Sequence, residues 1–211
     1  MDKNVEKKMA EYLLQIKAIK LQPANPFTWA SGWKSPIYCD NRKTLSYPEV
    51  RTYIRDSFAI LIKELYPEVQ VIAGVATGAI AHGALVADKM GLPFVYIRSE
   101  AKKHGLENLV EGEVKPGQKA VIIEDLISTG GSSLKAFTAL KEAGAEVLGM
   151  AAIFTYQFPV AQKNFEEAGC KLATISHYTA LTGVALETGY IDNSHVEALA
   201  KWRQAPDVWG K

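Results

Sequence analysis

The chain has 211 residues, 48% hydrophobic and 22% charged, with 24 Lys and Arg against 23 Asp and Glu for a net charge of +1. These proportions match folded globular chains and exclude extended disorder, and so small a net charge means that affinity for an anion must come from a local site rather than a global field. The charged N-terminus, with no stretch near the roughly 20 apolar residues that span a bilayer, predicts a soluble cytoplasmic protein without a membrane partner, and the lone Cys39 and Cys170 argue against a zinc site or a disulfide framework.

In chain order, Val5–Ile19 predicts a helix. Phe27 to Asp40 (FTWASGWKSPIYCD) follows, rich in aromatics and turn formers. Pro48–Leu65 predicts a second helix, with proline in its first turn and Val50, Ile54, Phe58, Leu61 and Leu65 on one face. From residue 69 onward, β-branched runs alternate with helical patterns. Strands are expected at Val69–Ala73, Phe94–Arg98, Ala120–Glu124, Val147–Phe154 and Leu172–Ile175. Helices are expected at Ala79–Met90, Ser132–Ala143 and Val160–Ala168, with Gly91, Gly144 and Gly169 as C-terminal caps. Tyr178 to Lys211 reads as two more helices. The alternation predicts an α/β fold: a parallel twisted sheet of about five strands with helices on both faces.

The strand ending in Glu124 and Asp125 runs into Leu126, Ile127, Ser128, Thr129, Gly130, Gly131 and Ser132, after which a helix begins. Glycines admit a phosphate close to the backbone, hydroxyls add donors, and the first helical amides point at it. The paired acids suit a vicinal diol, since carboxylates accept hydrogen bonds. Neither GxxxxGK[ST] nor a post-strand GxGxxG is present, so ATPase and dinucleotide readings lack support. A plainer reading makes Ser132 a helix cap and the acids a solvated strand end.

Two more segments bear on chemistry. Arg98, Ser99, Glu100, Ala101, Lys102, Lys103, His104 and Gly105 open a long polar stretch, which is either a solvated excursion or a functional loop. Gly74 to Gly78 is either a tight turn or a backbone cup for an anion.

The run Val121 to Ser132 closely resembles the phosphoribosyl-diphosphate signature of type I phosphoribosyltransferases. The resemblance implies that residues 128 to 132 hold a 5-phosphate and that Glu124 and Asp125 face the ribose hydroxyls. It also implies a magnesium ion carried mainly by the substrate, with those acids nearby. Arg98, Lys102 and His104 resemble the catalytic loop of orotate phosphoribosyltransferases, which binds diphosphate and covers a neighbouring subunit's site; a homodimer is therefore expected. That family often has lysine where Ser99 stands, and Lys103 is a candidate substitute. Phe27 to Tyr38 resembles the family's base-covering hood, so residues 1–45 are expected to form a small N-terminal hood on a single domain. Orotate contacts are expected from Ser128, Lys34, Ile37 and Tyr38. Some members carry a lysine within 74–78 and an arginine within 154–158; neither is present here.

The implied reaction converts orotate and 5-phospho-α-D-ribose 1-diphosphate to orotidine 5'-phosphate and diphosphate, in pyrimidine (UMP) biosynthesis. The expected catalytic residues are Lys102, Arg98, His104 and Asp125. The alternatives are transfer to a purine and a non-enzymatic sensor of the same sugar diphosphate. With no basic stripe in the chain, a nucleic-acid partner is not expected.

Overall fold

The computed structural model describes residues 2–29, 31–99 and 109–210. Helix α1 (Lys3–Gln15) starts at Asp2, whose side chain accepts from the Asn4 amide at 2.7 Å. It stops short of the expected Ile19. Lys17 is left-handed at φ 55°, and Ile19 already belongs to a strand. Strands β1 (Ile19–Leu21), β2 (Phe27–Thr28), β3 (Lys34–Ser35) and β4 (Ile37–Cys39) pair antiparallel, β1 with β4 and β2 with β3. A 3-10 turn, Asn41–Ser46, leads into α2 (Pro48–Leu65), which buries Val50, Ile54, Phe58, Leu61 and Ile62.

The remaining elements are β5 (Val71–Val75), α3 (Ile80–Met90), β6 (Phe94–Ile97), β7 (Val110–Glu111), β8 (Lys119–Ile127), α4 (Gly131–Glu142), β9 (Glu146–Thr155), α5 (Pro159–Glu167), β10 (Leu172–His177), α6 (Tyr178–Glu187) and α7 (Asn193–Gln204). One sheet runs in the order β10-β9-β8-β5-β6-β7 and is parallel except for β7. The expected strands thus gain a sixth at the edge. β7 is two residues long within a polar stretch, too short for periodicity to reveal.

The chain leaves β5 toward β6 through α3 and leaves β8 the opposite way toward β9 through α4. Crossovers of one hand then place α3 with α2 on one face and α4 with α5 on the other. Strands buried on both faces need this double cover: Ile72, Ile122, Ile123, Met150 and Ile153 are all fully enclosed.

At one end the core is aromatic. Trp202 of α7 is fully buried among Trp29, Tyr156, Phe158 and Tyr178, with ring centroids 5.1 to 5.7 Å away. This cluster ties the N-terminal strands to the C-terminal helix. No helix among the described residues is long and apolar enough to cross a membrane.

Candidate functional site

Strand β8 outlasts β5. Its pairing with β5 ends at Gly74 opposite Ile123, while pairing with β9 continues to Ile127 opposite Thr155. Glu124 and Asp125 therefore stand where the sheet opens, between strands from which the chain winds in opposite directions. Such switch points, at the carboxyl ends of parallel strands, are where open α/β sheets leave room for a ligand.

Glu124 is buried and pinned. Its Oε2 accepts from Ser133 Oγ at 2.8 Å and its Oε1 from the Asp125 amide at 2.9 Å. Burial, followed by the adjacent Asp125 charge, pushes the Glu124 carboxyl up to about 8. Asp125 is half-buried, and its carboxylate rests on the Ala76–Gly78 turn: a Cβ added at Gly78 would lie 2.3 Å from Asp125 Oδ2. The Ala76–Thr77 peptide in that turn is cis.

Helix α4 begins at Gly130, left-handed at φ 85°, and no side chain caps it. Its first amides, which have no intrahelical acceptor, are left for a ligand. The loop before it is anchored from behind: Asn164 Nδ2 donates to Thr129 O at 2.9 Å, and the Phe165 ring packs under Gly130. Rigid backing and open amides make an anion cradle.

Together these elements enclose a cleft of about 850 Å³. Of the residues singled out from sequence, Arg98, Ser99, Glu124, Asp125, Leu126, Ser128, Thr129, Gly130, Gly131 and Ser132 line it. Ile127 does not; its side chain is fully buried and its carbonyl accepts from the Tyr156 amide at 3.1 Å. Arg98 sits within 3.5 Å of Glu111 on β7. Lys102, Lys103 and His104 lie outside the described residues.

Lys34, Ile37 and Tyr38 are not in the cleft wall. Lys34 Nζ donates to Thr28 Oγ1 at 2.8 Å, and Tyr38, 41% exposed, packs on Phe27. Ile37 is fully buried, and its carbonyl already accepts from Trp29 Nε1 and Ser35 Oγ. Gln157 turns its Oε1 to Thr179 Oγ1 at 2.7 Å, with Arg203 of α7 alongside.

Two contributors escaped sequence reading. Ser133 lies one residue beyond the motif, and its spacing of nine from Glu124 carries no local signal. Asn41 donates to the Asp125 carbonyl from 84 positions away.

Among the described residues no cluster of three or more His, Cys, Asp or Glu is arranged to hold a metal. Two carboxylates beside an anion cradle instead suit magnesium carried by phosphate oxygens and touched by one or two acids. A separate groove of about 620 Å³, lined by Phe158, Ala161, Phe165 and Leu172, has neither paired acids nor an open helix start.

A family model described as a phosphoribosyl transferase domain matches residues 46–186. The chain is 61% identical over 208 residues to the orotate phosphoribosyltransferase of Porphyromonas gingivalis, covering 99% of each. It is 60% identical over 207 residues to that of Bacteroides thetaiotaomicron, covering 98% of each. In fold it resembles the crystal structure of orotate phosphoribosyltransferase from Aeropyrum pernix, with a TM-score of 0.75 and 24% identity over 87% of this chain and 99% of that one.

Proposed function

The chain belongs to the orotate phosphoribosyltransferase family, and on that premise we propose how its cleft performs the transfer. The activity moves the ribose 5-phosphate group from phosphoribosyl diphosphate to orotate, a step of pyrimidine biosynthesis. One observation carries the assignment of roles: the uncapped start of α4 and the Glu124–Asp125 pair face one cleft at the switch point.

Residues 128 to 132 bind the 5-phosphate through backbone amides and hydroxyls. Asp125, seated on the Gly78 turn, accepts from ribose hydroxyls, and Glu124 lies behind it on Ser133. The bond from ribose C1 to the diphosphate oxygen breaks as a bond from C1 to the orotate ring nitrogen forms, and the proton of that ring N–H passes to the departing diphosphate. Positive charge building on the ribose faces Asp125, while negative charge on the departing diphosphate faces Arg98, with Lys102, Lys103 and His104 supplied by the loop that follows it. Positioning and electrostatics therefore carry most of the rate, with no covalent enzyme intermediate. Glu124 and Asp125 would be the protein acids nearest to a substrate-carried magnesium ion, which would supply charge neutralisation for the leaving group.

Orotate enters between Ser128 and the aromatic N-terminal strands, with Lys34 and Tyr38 on that side. The chain acts in the cytoplasm as a homodimer whose basic loop crosses to the partner's cleft; the length of the polar stretch after Arg98 and the resemblance of its residues support this.

The deciding assay follows orotate consumption by ultraviolet absorbance, with and without magnesium, beside a panel of purine bases. Magnesium-dependent loss of orotate supports the proposal. Turnover of a purine with none of orotate would overturn it.

A further inference from the structure

Asn41 stands at the start of the 3-10 turn that leaves the N-terminal strands, and its side chain is buried. Its Nδ2 donates to Asp125 O at 2.5 Å, and its Oδ1 accepts from Cys39 Sγ at 3.3 Å. Beyond Ile123, β8 has no partner on β5, so this carboxamide supplies the Asp125 carbonyl with a hydrogen bond where the neighbouring strand has ended.

The support continues inward. The Asn41 carbonyl accepts from Thr44 Oγ1 at 2.5 Å, and Thr44 Oγ1 also lies 3.0 Å from His82 Nε2. Thr44 has a single hydroxyl proton and directs it to Asn41, so His82 must be the donor in the second contact. That assigns the Nε2–H tautomer and leaves Nδ1 bare, consistent with His82 Nδ1 being buried without a partner. Burial, then the Arg51 charge, lowers His82 to about 4 and keeps it neutral near pH 7.

These donors point one way, from His82 through Thr44 and Asn41 to Asp125. His82 belongs to α3, and the turn preceding α3 carries Gly78, against which the Asp125 carboxylate rests. The contacts thus close a ring that grips Asp125 at both its carbonyl and its carboxylate. Chains of buried hydrogen bonds that polarise one another hold geometry tightly.

We propose that Asn41 is a positioning residue for the transfer reaction: it holds the Asp125 main chain so that the carboxylate stays on the Gly78 turn and aimed at the ribose, with Thr44 and His82 holding Asn41 in place. This inference rests on the reading of Asp125 as a contact to the ribose hydroxyls.

The test compares Asn41→Asp, Thr44→Val, Asp125→Asn and the double variant Asn41→Asp/Asp125→Asn by steady-state kinetics in both substrates. Asn41→Asp keeps the shape but removes the donor. It should lower kcat about tenfold or more and raise KM for phosphoribosyl diphosphate, with KM for orotate within about twofold. Thr44→Val should shift the same constants less, and it carries the test alone if the buried carboxylate of Asn41→Asp prevents folding. In the Asp125→Asn background, Asn41→Asp should cost nothing further. Wild-type constants in both Asn41→Asp and Thr44→Val beside an impaired Asp125→Asn would overturn the inference. So would an equal loss from Asn41→Asp in both backgrounds, which marks a general effect on the fold. An unimpaired Asp125→Asn would remove the functional reading of Asp125 itself, and the inference with it.

Discussion

Gly78 and Asp125 touch so closely that a methyl at Gly78 would lie 2.3 Å from Asp125 Oδ2. Only hydrogen fits there while the carboxylate keeps its place. Gly78→Ala should therefore lower kcat/KM on the order of 100-fold by tilting Asp125, while the thermal midpoint moves little. Kinetics and calorimetry on the same sample check this; wild-type turnover would mean that the carboxylate has room to move without consequence.

Glu124 behaves unlike a surface acid, holding its proton up to about 8 against an ordinary 4.5. Below pH 4.5 the folded and unfolded chains both carry that proton, and folding bears no penalty from this group. Between 4.5 and about 8 the unfolded chain loses its proton and the folded chain keeps it, so stability falls across that window and levels off above it. Glu124→Gln should flatten this slope, matching wild type in acid and melting at a higher temperature above pH 8. Parallel melting curves across the whole range would show that Glu124 titrates normally in the folded chain.

Gly130 combines a positive φ of 85° with the Phe165 ring, 2.8 Å from where a Cβ would stand. Gly130→Ala should destabilise the chain by ~1–3 kcal/mol and weaken phosphoribosyl diphosphate binding, because the start of α4 must shift to relieve both strains. Denaturant unfolding and calorimetric titration measure the two effects separately. Loss of stability with unchanged affinity would detach this turn from the phosphate.

On the proposed role of Lys102 against the departing diphosphate, Lys102→Ala should reduce kcat far more than it weakens ground-state binding, since such a contact would strengthen as charge develops there. Single-turnover rates set against equilibrium binding separate the two. An unchanged kcat takes Lys102 out of catalysis.

Trp202 supports Trp29 edge-on at 5.7 Å, and Trp29 in turn donates to the Ile37 carbonyl at 3.1 Å. Trp202→Ala should cost ~3–5 kcal/mol of stability, as loss of a large buried ring does. It should also raise KM for orotate more than KM for phosphoribosyl diphosphate, because the N-terminal strands lose the ring they lean on. Equal changes in both KM values would make the cluster a matter of folding alone.

Much of the central sheet was legible along the chain because its signals are local. Ala120–Glu124 reads as a strand from its own side chains, and the hydroxyls and glycines of 128 to 132 mark a turn into a helix over a few positions. The errors also have local causes. The helical pattern of α1 runs on past Gln15, because the apolar Ile16, Ala18 and Ile19 continue it, whereas Ile19 is claimed by pairing with Cys39. β8 reaches Ile127 rather than Glu124, because the β9 ladder beside it continues.

The amino-acid sequence by itself determined the alternation of strand and helix, the anion loop beside paired acids, and the family to which these motifs point, since each resides in contiguous residues. Only the tertiary structure decided that Gly78 seats the Asp125 carboxylate, that Asn41 holds its carbonyl from 84 positions away, that Ser133 pins Glu124, and that Ile37 turns into the core. The physical reason is common to all four. Side-chain periodicity reports which face of an element is apolar, but which polar groups meet across the sheet depends on where the strands end and how the layers pack, and no local pattern encodes that.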